Sequence, residues 1–353
     1  MTLKENKGRW TIVLLTCRDP AKDFRLPLAE ELHLLGHKVF YIFLKRRPVV
    51  IDMDNSHEKR VFSIPKFLRF MRHNFRARKS LLFVNSTNLV FPAMSRMLRM
   101  LCGGLWCLDM HDDLLYGRAG LARLKAQIAQ TILLGGSDVV VHAAPTLKRL
   151  FPMSRHLGNA STVTAIERSS PDWTKILILA SVDERLDFDF LGAAATANPE
   201  LRFEIRGHIS KDDSRVKKKV DDLTAAHPNI DYLGPYVNSE LPTILGAYAV
   251  TLAPYVVSSP LTDYIDPLRF YHCLNSGMEV ISTGIPKARD FGNVLHCVGD
   301  YGEVGPLVRG LAEGTIARRN SGSTASVYNW KNRAIKLLDI VSGASSGAEG
   351  LPA

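Results

Sequence analysis

No stretch of this chain approaches the roughly 18–20 apolar residues that a membrane-spanning helix requires. The lysine-bearing N-terminus shows no secretory-leader pattern. Cysteine is scarce: Cys17, Cys102, Cys107, Cys273 and Cys297 form an odd set without a C-x-x-C pair. That excludes a disulfide frame or a zinc ribbon and reads as reduced core thiols of a cytosolic protein. After Cys17-Arg18-Asp19-Pro20 there is no G-x-G-x-x-G, so the dinucleotide fingerprint is missing. No metal-ligating cluster and no Ser/His/Asp or Cys/His arrangement can be placed from spacing, so neither metal nor cofactor is expected.

What is present is a globular chain of 353 residues, 46% hydrophobic and 23% charged, long enough for two cores. Its net charge of +10 is uneven. Residues 1–173 hold 27 Lys and Arg against 14 Asp and Glu, and the remainder 18 against 21. The basic half therefore faces something anionic, nucleic acid or a membrane surface. Nucleic acid is not expected as a partner, because no binding motif accompanies the charge.

Strand-like and helix-like patterns alternate along the whole chain. A β-rich run at 10–16 leads to a helical pattern at 24–35 that ends at Gly36, and a second strand begins at Lys38. This is the opening of a parallel α/β sheet. Residues 48–62 read as a loop with a weak strand at its end. A helix follows near 65–79, with Phe67, Phe70, Met71 and Phe75 at helical spacing among Lys66, Arg69, Arg72, Arg76 and Lys79. Such a helix either lies in a lipid interface with aromatics down and cations on headgroups, or packs normally with a solvated basic face. After a joint rich in Gly, Ser and Pro near 158–171, the alternation restarts at Lys175. The expected layout is an N-terminal, acceptor- and membrane-facing domain at 1–170 and a nucleotide-sugar domain at 171–326. A closing helix at 327–342 and a disordered tail at 343–353 complete it. The fold class is α/β, two doubly wound Rossmann-like domains facing across a cleft and binding ligands at strand carboxyl ends.

The element that organises the second half is Asp266-Pro267-Leu268-Arg269-Phe270-Tyr271-His272-Cys273-Leu274-Asn275-Ser276-Gly277. Asp266 reads as the N-cap, Pro267 as the first helical residue and Gly277 as the left-handed terminator. The first free amides, those of Leu268 and Arg269, then lie beside a guanidinium at the positive end of the dipole, a way to hold a diphosphate without a Gly-rich loop. Other cleft candidates follow strands: Arg206-Gly207-His208, Gly234-Pro235-Tyr236 and Ala253-Pro254-Tyr255. Gly207 would allow close backbone approach, and Tyr236 and Tyr255 offer a flat face and a hydroxyl to a base or phosphate. In the first half, the strand Leu105–Met110 runs into Asp109, His111, Asp112 and Asp113. One of the adjacent pair Asp112 and Asp113 can face a substrate as general base while the other caps the next helix or orients a neighbour. His142, ending its own strand, is a cleft partner or a satisfied sheet-end residue.

Three segments together carry a resemblance. They are Leu233–Pro242, Tyr248–Tyr255 and Asp266–Thr283, supported by Ser181–Asp187 and the strand Arg202–Arg206 with Gly207. They resemble the C-terminal half of GT-B glycosyltransferases. Ala29-Glu30-Glu31-Leu32 with Leu35–Val39 resembles the first helix and second strand of the same fold. Leu108–Asp113 resembles the Y-D-x-x-D-[DE] segment of their exopolysaccharide branch, with Leu108 in place of the usual aromatic. The nearest likeness is to the membrane-associated glucuronosyltransferase of xanthan assembly.

The resemblance implies a nucleoside-diphosphate sugar in the second domain, with Arg269 on the diphosphate and Asp112 as general base. Retaining GT-B enzymes carry Glu-x7-Glu over this helix; here the places fall on Tyr264 and His272, which favours inversion. The implied enzyme is a cytoplasmic glycosyltransferase, peripheral on the inner face of the cell membrane. It would move a sugar, glucuronic acid by the nearest likeness, from a UDP-sugar to a polyprenyl-diphosphate-linked oligosaccharide, with the anionic membrane surface as a partner. The rivals are a GT-B UDP-sugar epimerase or hydrolase and a non-catalytic, membrane-associated assembly subunit.

Overall fold

Apolar strands and half-apolar helices alternate so that each helix can cover a sheet face, and the chain builds two sheets this way. The computed structural model describes residues 9–17, 23, 25–44, 46–54, 58–76, 80–86, 92–167, 172–209, 213–320 and 323–348. Two compact units result: Met1–Gly158 together with Trp330–Ala353, and Asn159–Asn329.

In the first unit, β1 (Thr11–Thr16) pairs in parallel with both β2 (Lys38–Phe43) and β5 (Leu81–Ser86). β6 (Leu105–Met110), β7 (Val139–His142) and the two-residue β8 (Arg155–His156) continue the parallel sheet. On the other edge, β3 (Val49–Asp52) and β4 (Glu58–Val61) add an antiparallel hairpin, giving the order β4-β3-β2-β1-β5-β6-β7-β8. The stretch read as a loop with a weak terminal strand is thus a hairpin. Val49, Val50 and Ile51 are apolar in succession, which leaves no alternation to signal a strand, yet all three are buried.

Helix α1 (Leu26–Leu34) joins β1 to β2. Helix α2 (Ile64–Phe75) buries Phe67, Met71 and Phe75 fully against the sheet, with Phe75 set edge-on to Phe40 at 5.0 Å. Its aromatic face is therefore core, and the aromatics-down lipid geometry does not occur: the sheet already takes the apolar side. Lys66, Arg69, Arg72 and Arg76 are exposed; residues 77–79 of the expected helix lie outside the described residues. Helices α3 (Pro92–Cys102) and α4 (Gly120–Leu134) pack beside α2 in sequence, α3 touching both neighbours.

The second unit is all parallel, in the order β11-β10-β9-β12-β13-β14. Its strands are β9 (Asp172–Leu179), β10 (Arg202–Arg206), β11 (Ile230–Tyr232), β12 (Tyr248–Ala253), β13 (Glu279–Thr283) and β14 (His296–Val298). Helices α5 (Phe188–Ala197), α6 (Ser214–Ala226), α7 (Leu241–Gly246), α8 (Pro260–Asp263), α9 (Leu268–Asn275) and α10 (Pro286–Asp290) connect them, and α11 (Val304–Glu313) follows the last strand. Side-chain caps fix three entries: Asp187 accepts from the Phe190 amide, Asp213 from the Val216 amide and Ser259 from the Leu261 amide.

The last helix, α12 (Trp330–Ala348), packs on α1 and so belongs to the first unit. It continues past Ser342 to Ala348, into the stretch where the sequence suggests a disordered tail, on a helix that Ala334, Leu337 and Val341 anchor; residues 349–353 of that tail lie outside the described residues. Among the described residues no helix is long and apolar enough to cross a membrane.

Candidate functional site

Each sheet presents polar side chains at its strand carboxyl ends, beside the strand where the order reverses. In the first unit that strand is β1, and in the second it is β9.

In the first unit the polar cluster is buried. Asp109, next to last in β6, is 1% exposed, and burial by itself would raise its carboxyl. His111, Arg333 and Arg25 outweigh that and hold it well below the usual carboxylate range. His111 Nε2 lies 2.9 Å from the carboxylate, Arg333 Nη2 3.2 Å and Arg25 Nε 3.5 Å. Arg25 Nε also lies 2.9 Å from His111 Nε2, and burial, with that cation adding to it, lowers the imidazole against the opposing pull of Asp109. Asp23 extends the network: Thr16 and Tyr41 each donate a hydroxyl to it at 2.7 Å, and the Arg25 amide donates at 3.1 Å. This network was not legible in sequence. Its members come from five elements or their flanks, and Arg333 stands 224 residues from Asp109.

The strand end beyond it carries the expected carboxylates. Asp113 Oδ1 accepts the Leu115 amide at 2.9 Å, so this residue closes the turn that leads to α4. Asp112 is exposed, and among the described residues nothing donates to its carboxylate. His142 is buried with Nδ1 on Ser154 Oγ at 2.8 Å; burial, His156, Lys148 and Lys336 push it down to about 4. It is a satisfied sheet-end residue.

In the second unit, Tyr255 follows β12 and is pinned to the sheet: its amide donates to Thr283 Oγ1 and its carbonyl accepts from the same hydroxyl, both at 2.8 Å. Above its ring lies the Arg269 guanidinium, 4.7 Å from the centroid, a cation–π arrangement. Arg269 Nη1 is buried and, among the described residues, has no hydrogen-bond partner. The nearby carboxylate, Asp183, is engaged by the forked guanidinium of Arg185, with Nε at 2.9 Å. Asp183 is held low: its burial is outweighed by Arg185, and Arg269 contributes. Two guanidiniums against one carboxylate leave an uncompensated positive charge beside the first turn of α9, whose amides have no acceptor within the helix. Tyr236 stands within the influence of Arg269 as well, its hydroxyl raised by burial against that cation. The structure thus gathers Tyr236, Tyr255, Leu268 and Arg269. It adds Asp183 and Arg185, whose D-x-R spacing directly after β9 was the available signal.

Three sequence readings take a different form. Asp266 does not cap α9. Its carboxylate accepts the Tyr271 hydroxyl at 2.7 and 2.9 Å and the Asn159 amide at 2.7 Å, with Lys287 Nζ at 3.6 Å. These donors draw it inward, so the helix begins one residue later with Pro267 as N-cap. Gly207 does approach a backbone closely, but the backbone is the protein's own. A Cβ there would sit 1.5 Å from the Ala180 carbonyl oxygen, at φ +157°. Arg206 turns along the sheet, with Nη1 donating to the Leu233 carbonyl at 3.1 Å, while Nε is buried without a partner. At the Glu-x7-Glu places, His272 bonds Ser161 Oγ through Nδ1 at 2.7 Å, and burial pushes it down to about 4. Among the described residues no three His, Cys, Asp or Glu are placed to hold a metal ion.

No protein-family model matches the sequence, and no curated protein matches it. Solved structures do match. Sucrose-phosphate synthase from Thermosynechococcus elongatus superposes with a TM-score of 0.69 at 16% identity, over 96% of this chain and 100% of that one. HepE from Anabaena, solved with UDP and glucose, gives 0.57 at 11%, covering 96% and 99%. The lipopolysaccharide outer core galactosyltransferase WaaB, in its apo form, gives 0.58 at 10%, covering 94% and 99%. This chain accordingly has the fold of the GT-B glycosyltransferases, two parallel-sheet Rossmann-like domains.

Proposed function

We propose that this protein is a glycosyltransferase that takes a sugar from a UDP-sugar and passes it to a polyprenyl-diphosphate-linked oligosaccharide in exopolysaccharide assembly. One observation carries the reading. Arg269, seated on Tyr255 at the first turn of α9, keeps a buried, unpartnered Nη1 while the neighbouring Asp183 is already neutralised by Arg185. That charge surplus suits a diphosphate, and a neighbour of the same fold holds UDP with glucose.

In this reaction Asp112 is the general base that takes the acceptor hydroxyl's proton. Arg269 and the amide of Leu268 receive the charge of the departing UDP, each role worth about 10²–10⁴-fold. Tyr264 and His272 stand where a retaining pair of glutamates would be, which supports inversion. The basic first half, with Lys66, Arg69, Arg72 and Arg76 exposed on α2, supports a membrane-borne acceptor at the inner face of the cell membrane. Glucuronic acid is the sugar that the likeness to the xanthan glucuronosyltransferase favours.

A donor screen tests this: UDP release is followed with each UDP-sugar, with and without a lipid-linked oligosaccharide. Release that requires the acceptor, with label moving into the lipid fraction, is the expected result. Acceptor-independent release would make the protein a hydrolase or epimerase. UDP binding without any turnover would make it a non-catalytic subunit.

A further inference from the structure

Helix α4 buries one face, Ala126, Ala129 and Leu133, against the first unit. A second row of apolar residues faces outward. Leu121 is 74% exposed, Leu124 51% and Ile128 53%. Their spacing of three and four residues sets them one above another on the helix surface. A single exposed leucine is ordinary, whereas an aliphatic row on one helix marks a surface meant to be covered. The chemistry around the row says what covers it. Arg118, Arg123 and Lys125 lie among these residues, and no Asp or Glu occurs between Asp113 and Asp138. Their long side chains can lay their stems along apolar surface and lift their charges to a layer of anions.

We infer that α4 is an interfacial helix that inserts Leu121, Leu124 and Ile128 into the headgroup and acyl boundary of an anionic bilayer. This rests on the membrane-borne acceptor proposed above and assigns the surface that meets the membrane. Helix α2, with its aromatics in the core, supplies cations to the same helical layer through α3. α2 therefore attracts the bilayer and α4 holds it, a division between charge and apolar burial. The helix starts seven residues after Asp113, so docking brings the lipid surface to the strand end that carries Asp112.

The test uses the full chain and vesicles of phosphatidylcholine with about one-third phosphatidylglycerol, without donor or acceptor. Leu121→Gln, Leu124→Gln and Ile128→Gln combined should lower vesicle binding at least about tenfold in sedimentation, at low and at high salt, with an unchanged melting temperature. Gln at Lys66, Arg69, Arg72 and Arg76 should weaken binding at low salt and matter far less at high salt, where screening already removes the attraction. Vesicle binding by the α4 variant equal to that of the unaltered protein overturns the inference. So does a lipid-free dimer that this variant converts to monomer, because the row would then be a self-interface. Transfer to a soluble acceptor should survive the α4 substitutions. An unaltered protein that docks on vesicles yet transfers nothing to a lipid-linked acceptor would refute the proposed function and leave the docking surface intact.

Discussion

Among the described residues, Asp112 and Arg269 differ from the other charged residues of their strand ends in having no protein group that satisfies them fully. Asp113 closes a turn, Asp109 is enclosed by cations and Asp183 is forked by Arg185, whereas Asp112 is exposed and, among the described residues, accepts from nothing, as the proposed base requires. Asp112→Asn keeps the shape and removes the proton acceptor, so turnover should fall at least about 10²-fold while UDP affinity stays put. Steady-state rates and UDP titration read the two quantities separately. Inactivity of Asp113→Asn with a working Asp112→Asn would shift the base by one residue. For Arg269, a charge-assisted contact of about 1.5–3 kcal/mol predicts that Arg269→Ala weakens UDP binding roughly 10–150-fold. Uridine, which lacks phosphates, should bind nearly as before. Arg269→Lys should recover part of the loss, since a point charge cannot reproduce the planar fork over Tyr255. Calorimetry with both ligands decides; equal weakening would place the diphosphate elsewhere.

At the scale of elements, β7 and β8 end in a pair of histidines whose rings lie 5.6 Å apart, with His142 buried and driven down to about 4. Lys148 and Lys336 add to the same positive field. A folded-state value below the unfolded one, about 6.5, means that the unfolded chain takes up the proton first. Stability is then full above pH 6.5 and falls as the pH drops towards 4, by about 1.4 kcal/mol per unit for this histidine. Urea denaturation at stepped pH should show the slope, and His142→Gln should remove one proton's worth of it. For α2, exchanging Arg69, Arg72 and Arg76 for Gln should cost about 1 kcal/mol of vesicle binding per charge at low ionic strength. Sedimentation unchanged by this triple exchange would make the basic face merely solvated.

For the molecule as a whole, the consequential feature is that the chain returns to its first unit through α12. Arg333 brings a guanidinium to Asp109 and also donates to the Gly158 carbonyl at 2.7 Å. Removing one partner of a buried pair costs about 3–5 kcal/mol, because the remaining charge stays desolvated. Arg333→Met should therefore destabilise the first unit by about that much, and adding Asp109→Asn should recover part of the loss. A chain ended at Asn329 should lose the first unit's melting transition and keep that of the second. Calorimetric scans of the three proteins, each showing two transitions or one, check this.

The alternation of strands and helices was legible because its causes are local: apolar runs of strand length, helical spacing, and Gly36, Gly207 and Gly277 as stops. The gathering of Tyr236, Tyr255 and Arg269 was foreseeable for the same reason, since each follows or opens an element at one end of a parallel sheet. Tertiary structure alone decided where polar side chains turn. Asp266 in sequence is a helix cap, and it is a tyrosine one turn on, an amide 107 residues away and the Lys287 ammonium that draw it inward. Asp109 in sequence is one of three similar carboxylates; two arginines from opposite ends of the chain make it structural and leave Asp112 outside. Backbone preference is set by near neighbours, whereas a charge is settled by whichever partner the fold delivers, and that partner has no position along the chain from which it can be read.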